Sequence, residues 1–139
     1  MSELKIDDFP LKTFDKIRYS DTDRQGHVNN AVFSSFLETG RVEVLYNKGL
    51  PILTDKSAFV IASLKLNFTN EIKWPGQVDI GTGVLKIGNS SMVLYQELFQ
   101  NDISVARAET VIVQIHDEKK TSTPLSQNAK KVLDKWIIG

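Results

Sequence analysis

Apolar residues follow a helical period in one stretch of the chain. From Asn30 onward, apolar or small side chains recur at three- and four-residue intervals, at positions 33, 36, 37, 40 and 44, which is typical of a helix with one buried stripe. Asn29 or Asn30 can cap its start, and residues 47–49 predict its end. A glycine inside a helix costs about 1 kcal/mol relative to alanine. Gly40 on the stripe therefore predicts that the helix lies close against a flat surface such as a sheet.

The remaining pattern has a period of two and predicts strands. A short strand is expected over residues 13–20, before the helix. Longer ones are expected after it, over 58–68, around 78–84, over 92–99 and over 103–115. Gly88-Asn89 and Asn101-Asp102 predict tight hairpin turns. Ser126 can cap a final helix with four apolar residues facing inward: Ala129, Val132, Leu133 and Trp136.

This order of elements predicts the fold class. Four successive hairpin-compatible strands after one long helix imply an antiparallel sheet wrapped on that helix, which is an α+β fold. No linker or repeat interrupts the chain, and 139 residues can bury a core without disulfides. We therefore expect a single domain over residues 1–139.

Composition excludes several classes of function. Lys plus Arg equals Asp plus Glu, at 17 each, so no bulk charge favours nucleic acid or a membrane surface. There is no signal-peptide pattern and no bilayer-length apolar run, and a cytoplasmic protein is expected. Cysteine is absent and histidine occurs twice, so we expect no metal site and no cofactor.

The most concentrated polar chemistry lies in residues 21–30, between the first strand and the helix. This run contains two carboxylates, a histidine and two amides, beside the helix start. The first N–H groups of a helix have no internal partners, so they can stabilise the oxyanion that forms when a carbonyl is attacked. A nearby carboxylate can attack that carbonyl or activate water. No Gly-x-Ser-x-Gly elbow or phosphate-binding glycine loop is present.

The run Asp-Thr-Asp-x-x-Gly-His-Val-Asn-Asn, followed on the helix by Phe33, Glu38 and Arg41, resembles hotdog-fold acyl-CoA thioesterases of the 4-hydroxybenzoyl-CoA thioesterase type. The strand order and the Trp-Pro-Gly-x-x-Val turn resemble that family too. The Gly-His-Val-Asn-Asn segment is also similar to one in acyl-ACP thioesterases. The resemblance implies about five antiparallel strands wrapped around one central helix. It also implies hydrolysis of an acyl-CoA, or acyl-ACP, thioester.

The resemblance assigns the catalytic carboxylate to Asp23, the second acid of the motif. It also assigns the backbone N–H of Asn30 to polarisation of the thioester carbonyl. Asp21 is then a supporting turn residue. Whether Asp23 acts as a base toward water or as a nucleophile stays open.

Four further residues are candidates with a structural alternative each. His27 either takes part in catalysis, by orienting Asp23 or contacting substrate, or holds the turn through backbone carbonyls. Asn29 either contacts substrate or caps the helix, and Phe33 lines an acyl pocket or belongs to the core. Glu38 is a second candidate base, or it forms a surface ion pair with Arg41 at the i+3 spacing.

An open sheet wrapped on one helix leaves strand edges exposed. The strand over 58–68 can pair with its own copy, and the resemblance implies a homodimer or homotetramer with sites at the interface. A non-catalytic acyl-binding protein that keeps the same fold is the alternative from a different functional class.

Overall fold

The computed structural model describes residues 3–138 as one sheet, one long helix and shorter helical segments. The strands and helices, in chain order, are β1 (Leu11–Lys16), α1 (Asn30–Leu45), β2 (Ser57–Phe68), β3 (Gln77–Ile87), β4 (Ser91–Gln100), β5 (Ile103–His116) and α2 (Gln127–Asp134). Single turns of 3-10 helix lie at Ile6–Asp8 and Tyr19–Asp21. Among the described helices, none is long and apolar enough to cross a bilayer.

The five strands form a single antiparallel sheet in the order β1-β3-β4-β5-β2. The β3–β4 hairpin closes through the Gly88 N–H, which donates to the Ser91 carbonyl at 2.7 Å. Asn101 and Asp102 both have positive φ, at 52° and 64°, as a two-residue hairpin of the I′ type requires. Both hairpins lie where they were predicted, and the α+β class with five strands is confirmed.

The prediction for the first strand is wrong at its end. Strand β1 stops at Lys16, opposite the first residue of β3, Gln77, so the residues beyond it have no strand to pair with. The chain then turns, and Tyr19–Asp21 form a 3-10 turn instead of more strand. The carboxylate of Asp21 closes that turn by accepting the Arg18 N–H at 2.8 Å.

Helix α1 forms as its pattern predicts. The Asn29 side chain accepts the Ala31 N–H at 3.0 Å, so Asn29 is the N-cap. Beyond the last turn, the Asn47 side chain accepts the N–H groups of Gly49 and Leu50 and stops the helix. The predicted stripe is buried at all five positions: Phe33, Phe36, Leu37, Gly40 and Val44.

The short helix α2 closes one end of the core. Ser126 caps it by accepting the Ala129 N–H at 2.9 Å. The four predicted inward residues are all buried, but Trp136 lies beyond the end of the helix at Asp134. They pack with Val44 and Leu45 from the end of α1 and with Met92 and Leu94 from β4.

Helix α1 lies very close to the sheet at Gly40, as its glycine predicts. A Cβ there would come within 2.5 Å of Gln96 Nε2 and of Ile80 Cγ2. Gln96 is fully buried beneath the helix and donates to the Leu37 carbonyl at 2.9 Å and to Thr82 Oγ1 at 3.0 Å. The absence of a side chain at Gly40 therefore allows a buried amide to tie the helix to the sheet.

We expect Gly40→Ala to lower the free energy of unfolding by up to about 2 kcal/mol, because overpacking this contact costs about 1–3 kcal/mol and the gain in helix propensity returns only about 1 kcal/mol. Gly49→Ala is the matched control, since its added Cβ would meet only Asn47 Oδ1, at 3.6 Å. Urea unfolding of both variants measures the difference. An alanine at position 40 that stabilises the protein would contradict the close contact.

Candidate active site

The polar run after β1 folds into a tight turn that is tied to two parts of the protein. Asp23 N–H donates to the His27 carbonyl at 2.8 Å, and Gly26 N–H donates to the Asp23 carbonyl at 3.1 Å. Gly26 has φ of 79°, the left-handed region that glycine enters most easily. Val28 N–H donates to the Ile72 carbonyl and Asn29 N–H to the Asp21 carbonyl. The turn is thereby fixed against both the β2–β3 connection and the start of α1.

The two oxygens of the Asp23 carboxylate have different environments. Oδ1 accepts the Gln25 N–H at 2.8 Å and the His27 N–H at 3.3 Å, which fixes the side chain within its own turn. Within residues 3–138, Oδ2 makes no hydrogen bond or ion pair. Asp23 is exposed, so one carboxylate oxygen is held in place while the other is free to contact water or substrate.

Asp21, two residues earlier, is in the opposite situation. Its side chain is only 3% exposed, and its carboxylate accepts the Arg18 backbone N–H together with Nε and Nη2 of the guanidinium, the last at 2.9 Å. The hydrogen bonds that the Arg18 guanidinium donates to Asp21 raise the pKa of Arg18, and the charge of Asp21 adds to this. Asp21 is therefore occupied in holding the turn, the supporting role expected for it.

His27 has a partner that the sequence analysis missed. Its Nε2 lies 3.2 Å from Oε2 of Glu71, and the His27 side chain is about half-buried, with 28% exposed. The main chain of His27 also pairs with Lys73 in an isolated antiparallel bridge. The only signal for Glu71 in the sequence is the polar segment 69–71 directly after β2, and such segments are common in solvated loops.

Asp23 and His27 lie in the wall of an open pocket of about 610 Å³, between the start of α1 and the end of β2. Its apolar part includes Phe33 and Phe68, whose rings meet edge to face with centroids 4.9 Å apart. The full lining is Asp23, Gln25, His27, Val28, Asn30, Phe33, Phe68, Thr69, Asn70 and Glu71. Phe33 is 2% exposed, so it belongs to the core and also reaches the pocket.

The start of α1 has a backbone donor without an acceptor among the described residues. The Ala31 N–H is taken by the Asn29 side chain and the Val32 N–H by the Asn29 carbonyl. No acceptor in the described part of the chain pairs with the Asn30 N–H. Asn30 lies at the positive end of the helix dipole, and it lines the same pocket as Asp23. The side chain of Asn29, in contrast, is used as the cap.

The structure does not bring Glu38 to this pocket. Glu38 is exposed on another side of α1, in a depression that also includes Asp15 and Arg18. The alternative prediction, a surface ion pair with Arg41, is wrong. Arg41 is only 7% exposed, and burial lowers the pKa of Arg41 more than the charge of Glu38 raises it. Across residues 3–138, no carboxylate lies within ion-pair distance of the Arg41 guanidinium.

Over the described range 3–138, no three His, Asp or Glu side chains cluster in a way that could hold a metal ion. The titratable groups that line the pocket are the carboxylates of Asp23 and Glu71 and the imidazole of His27.

Comparison with known proteins identifies the family to which the sequence is similar. Residues 17–137 match the family described as the thioesterase-like superfamily. The acyl-CoA thioesterase YbgC of Helicobacter pylori (strain ATCC 700392 / 26695) is 26% identical over 84 residues, which cover 60% of this chain. The matched segment spans 63% of the length of that relative.

Solved structures resemble this chain over most of its length. A predicted thioesterase from Bacillus stearothermophilus superposes with a TM-score of 0.82 at 26% identity, covering 91% of this chain and 96% of the other. A thioesterase from Thermus thermophilus, crystallised with coenzyme A and Zn, superposes with a TM-score of 0.78 at 27% identity. The match covers 90% of this chain and 98% of the other. The expected family resemblance is thus confirmed by both sequence and structure.

Proposed function

Because the chain belongs to the thioesterase-like superfamily, we propose that it is a thioester hydrolase that cleaves an acyl-CoA to the free acid and CoA. One observation carries the proposal: a single pocket is lined by Asp23, by Asn30 at the start of α1 and by the apolar rings of Phe33 and Phe68. Within the described residues, Asp23 Oδ2 and the Asn30 N–H have no partner. The carboxylate, the N–H and the rings supply, in turn, a base or nucleophile, an oxyanion donor and a surface for an acyl group.

In the proposed reaction, the thioester carbonyl oxygen points at the Asn30 N–H. The negative charge that develops on this oxygen in the tetrahedral intermediate is stabilised by the donor and by the helix dipole. The scissile carbon then faces Asp23. Because the donor belongs to the backbone, this role does not depend on the side chain of Asn30.

Asp23 acts through Oδ2 in either of two routes. As a general base, it takes a proton from water while the water oxygen attacks the carbonyl carbon. As a nucleophile, it forms a mixed anhydride, and water then hydrolyses the anhydride. In both routes the C–S bond breaks and the thiolate of CoA leaves and is protonated. The hydrogen bonds to Oδ1 orient the carboxylate, so the side chain is already held in place before the substrate binds.

We further propose that Glu71 orients His27. A carboxylate within 3.2 Å of Nε2 holds a proton on that nitrogen and fixes the ring at the pocket wall. His27 then contacts the substrate or the bound water, while its main chain fixes the conformation of the Asp23 turn. Glu38, which lies away from the pocket, has no part in this scheme.

Asp23→Asn should lower kcat for hydrolysis of acyl-CoA about 10²- to 10⁴-fold, the usual contribution of a positioned acid or base. Its melting temperature should change little, since an amide oxygen can still accept the Gln25 N–H. Free-thiol release from short, medium, long and aromatic acyl-CoAs measures the rate. Rapid-quench mass spectrometry of the wild type separates the two routes, because the anhydride adds the mass of the acyl group to the protein.

The matched control for this variant is Asp21→Asn in the same motif. It weakens the contact with Arg18, so it should lower the melting temperature without a comparable loss of kcat in the folded fraction. An Asp23→Asn protein that turns over acyl-CoA as fast as the wild type would exclude the catalytic assignment.

We also propose that the protein forms a homodimer through the outer edge of β2. This strand is 12 residues long and pairs with β5 on one side only. Four large apolar side chains on it are exposed by 39–49%: Val60, Ile61, Leu64 and Phe68. An edge this long and apolar is a template for pairing with a second copy. Because Phe68 also lines the pocket, the partner would lie beside the site.

Leu64→Lys should shift the wild-type dimer toward monomer, raising its dissociation constant at least about tenfold, because the two copies would place like charges along one paired edge. Leu53→Lys is the matched control: the two leucines are 39% and 37% exposed, but Leu53 lies outside β2. Sedimentation velocity over a range of concentrations measures the equilibrium. A monomeric wild type, or a Leu64→Lys protein that dimerises as the wild type does, would contradict this interface.

A further inference from the structure

Two large aromatic side chains lie exposed and in contact with each other next to the candidate site. Tyr19 is 73% exposed and Trp74 is 46% exposed, and their rings meet edge to face with centroids 5.2 Å apart. A single exposed apolar residue is ordinary on a protein surface. A touching pair of aromatic rings that remains open to solvent is a ready binding surface for a planar ligand.

The backbone places this pair at the rim of the Asp23 turn. The Tyr19 carbonyl accepts both the backbone N–H and the hydroxyl of Thr22, the residue before Asp23. Trp74 follows Lys73, which pairs with His27. The two segments are joined by the Ile17 N–H, which donates to the Gly76 carbonyl at 2.9 Å. The rings are therefore carried by the same two segments that hold the proposed catalytic turn.

Basic side chains flank the pair. Arg18 and Lys73 are the direct chain neighbours of Tyr19 and Trp74, and Lys16 ends β1 opposite Gln77. In the part of the chain that the structure describes, neither lysine has a carboxylate within ion-pair distance. Arg18 contacts Asp21 but leaves 71% of its side chain exposed. The two lysines are thus available to an anion, whereas the Arg18 guanidinium already donates to Asp21 and shares a depression with Asp15 and Glu38.

The proposed catalytic pocket adjoins a second depression. This depression has a volume of about 280 Å³, contains Lys73 and shares Asn70 and Glu71 with the first pocket. A ligand whose reacting end lies at Asp23 can therefore extend along residues 70–73, and Trp74 is the next residue in the chain.

From this arrangement we propose that Tyr19 and Trp74 bind the adenine ring of coenzyme A, with Lys73 and Arg18 beside its phosphates. The inference rests on the proposed function, since it places the distal end of an acyl-CoA whose thioester lies at Asp23. Exposed aromatic rings with basic residues next to them in the chain match a nucleotide, which combines a planar base with anionic phosphates. A carrier protein presents its acyl group without a nucleotide, so the same surface favours CoA over ACP as the carrier.

The test compares one acyl group on two thiols. Trp74→Ala should raise KM for the acyl-CoA about tenfold, the order of affinity that one stacked base contributes, and leave kcat nearly unchanged. KM for the same acyl group on N-acetylcysteamine, which has no nucleotide, should not change. Tyr46→Ala is the matched control, because Tyr46 is 52% exposed and also meets a second ring edge to face, Phe59, away from the site.

A second measurement does not depend on catalysis. Adenosine 3′,5′-bisphosphate should bind the wild type in titration calorimetry and quench the fluorescence of Trp74. Tyr19→Ala and Trp74→Ala should each weaken this binding about tenfold, and Lys73→Glu should weaken it most at low salt. Trp74-dependent nucleotide binding by a protein that hydrolyses no thioester would support the nucleotide site and refute the proposed function.

Two results would overturn the inference. One is an equal effect of Trp74→Ala on both thioesters. The other is that nucleotide binding depends on Trp74 but the KM for acyl-CoA does not depend on it. The site would then serve a free nucleotide. In either case, unchanged hydrolysis by the wild type would leave the proposed function standing.

Discussion

The close contact between α1 and the sheet at Gly40 determines where the candidate site lies. Gln96 reaches the helix backbone there only because Gly40 has no side chain. Ten residues earlier, about 15 Å along the helix, α1 begins at Asn30, so the depth of packing at Gly40 sets the position of the helix start. The N–H that the proposed oxyanion contact needs is positioned by a core contact far from the chemistry.

The fold also separates the two carboxylates of the Asp-x-Asp motif. Asp21 is buried and its carboxylate contacts serve the turn, whereas Asp23 is exposed and, within residues 3–138, has one oxygen without a partner. A hydrogen-bonded, buried carboxylate contributes to stability. A carboxylate with an open oxygen contributes little to stability and remains available to a ligand. Two aspartates of one motif can thus differ in role, because both carboxylate oxygens of Asp21 accept hydrogen bonds from Arg18 and Asp23 accepts its hydrogen bonds through Oδ1.

Most of the fold follows from local pattern. The period of α1, the alternation in the strands and the turn residues at 88–89 and 101–102 predict elements that the structure contains. The end of β1 was not predictable, because it depends on where β3 begins to pair. Neither was the contact of Glu71 with His27, or the burial of Arg41. These depend on segments that are distant in sequence, and the residues themselves are ordinary for a loop and a helix surface.

In the proposed reaction, one pocket directs the Asn30 N–H and Asp23 Oδ2 at the same carbonyl group. A crystal structure of the protein with a non-hydrolysable ketone analogue of an acyl-CoA tests this geometry. We expect the ketone oxygen within about 2.7–3.1 Å of the Asn30 nitrogen, with the ketone carbon facing Asp23. A ketone bound away from the start of α1, or one that faces Glu38 instead of Asp23, would contradict it.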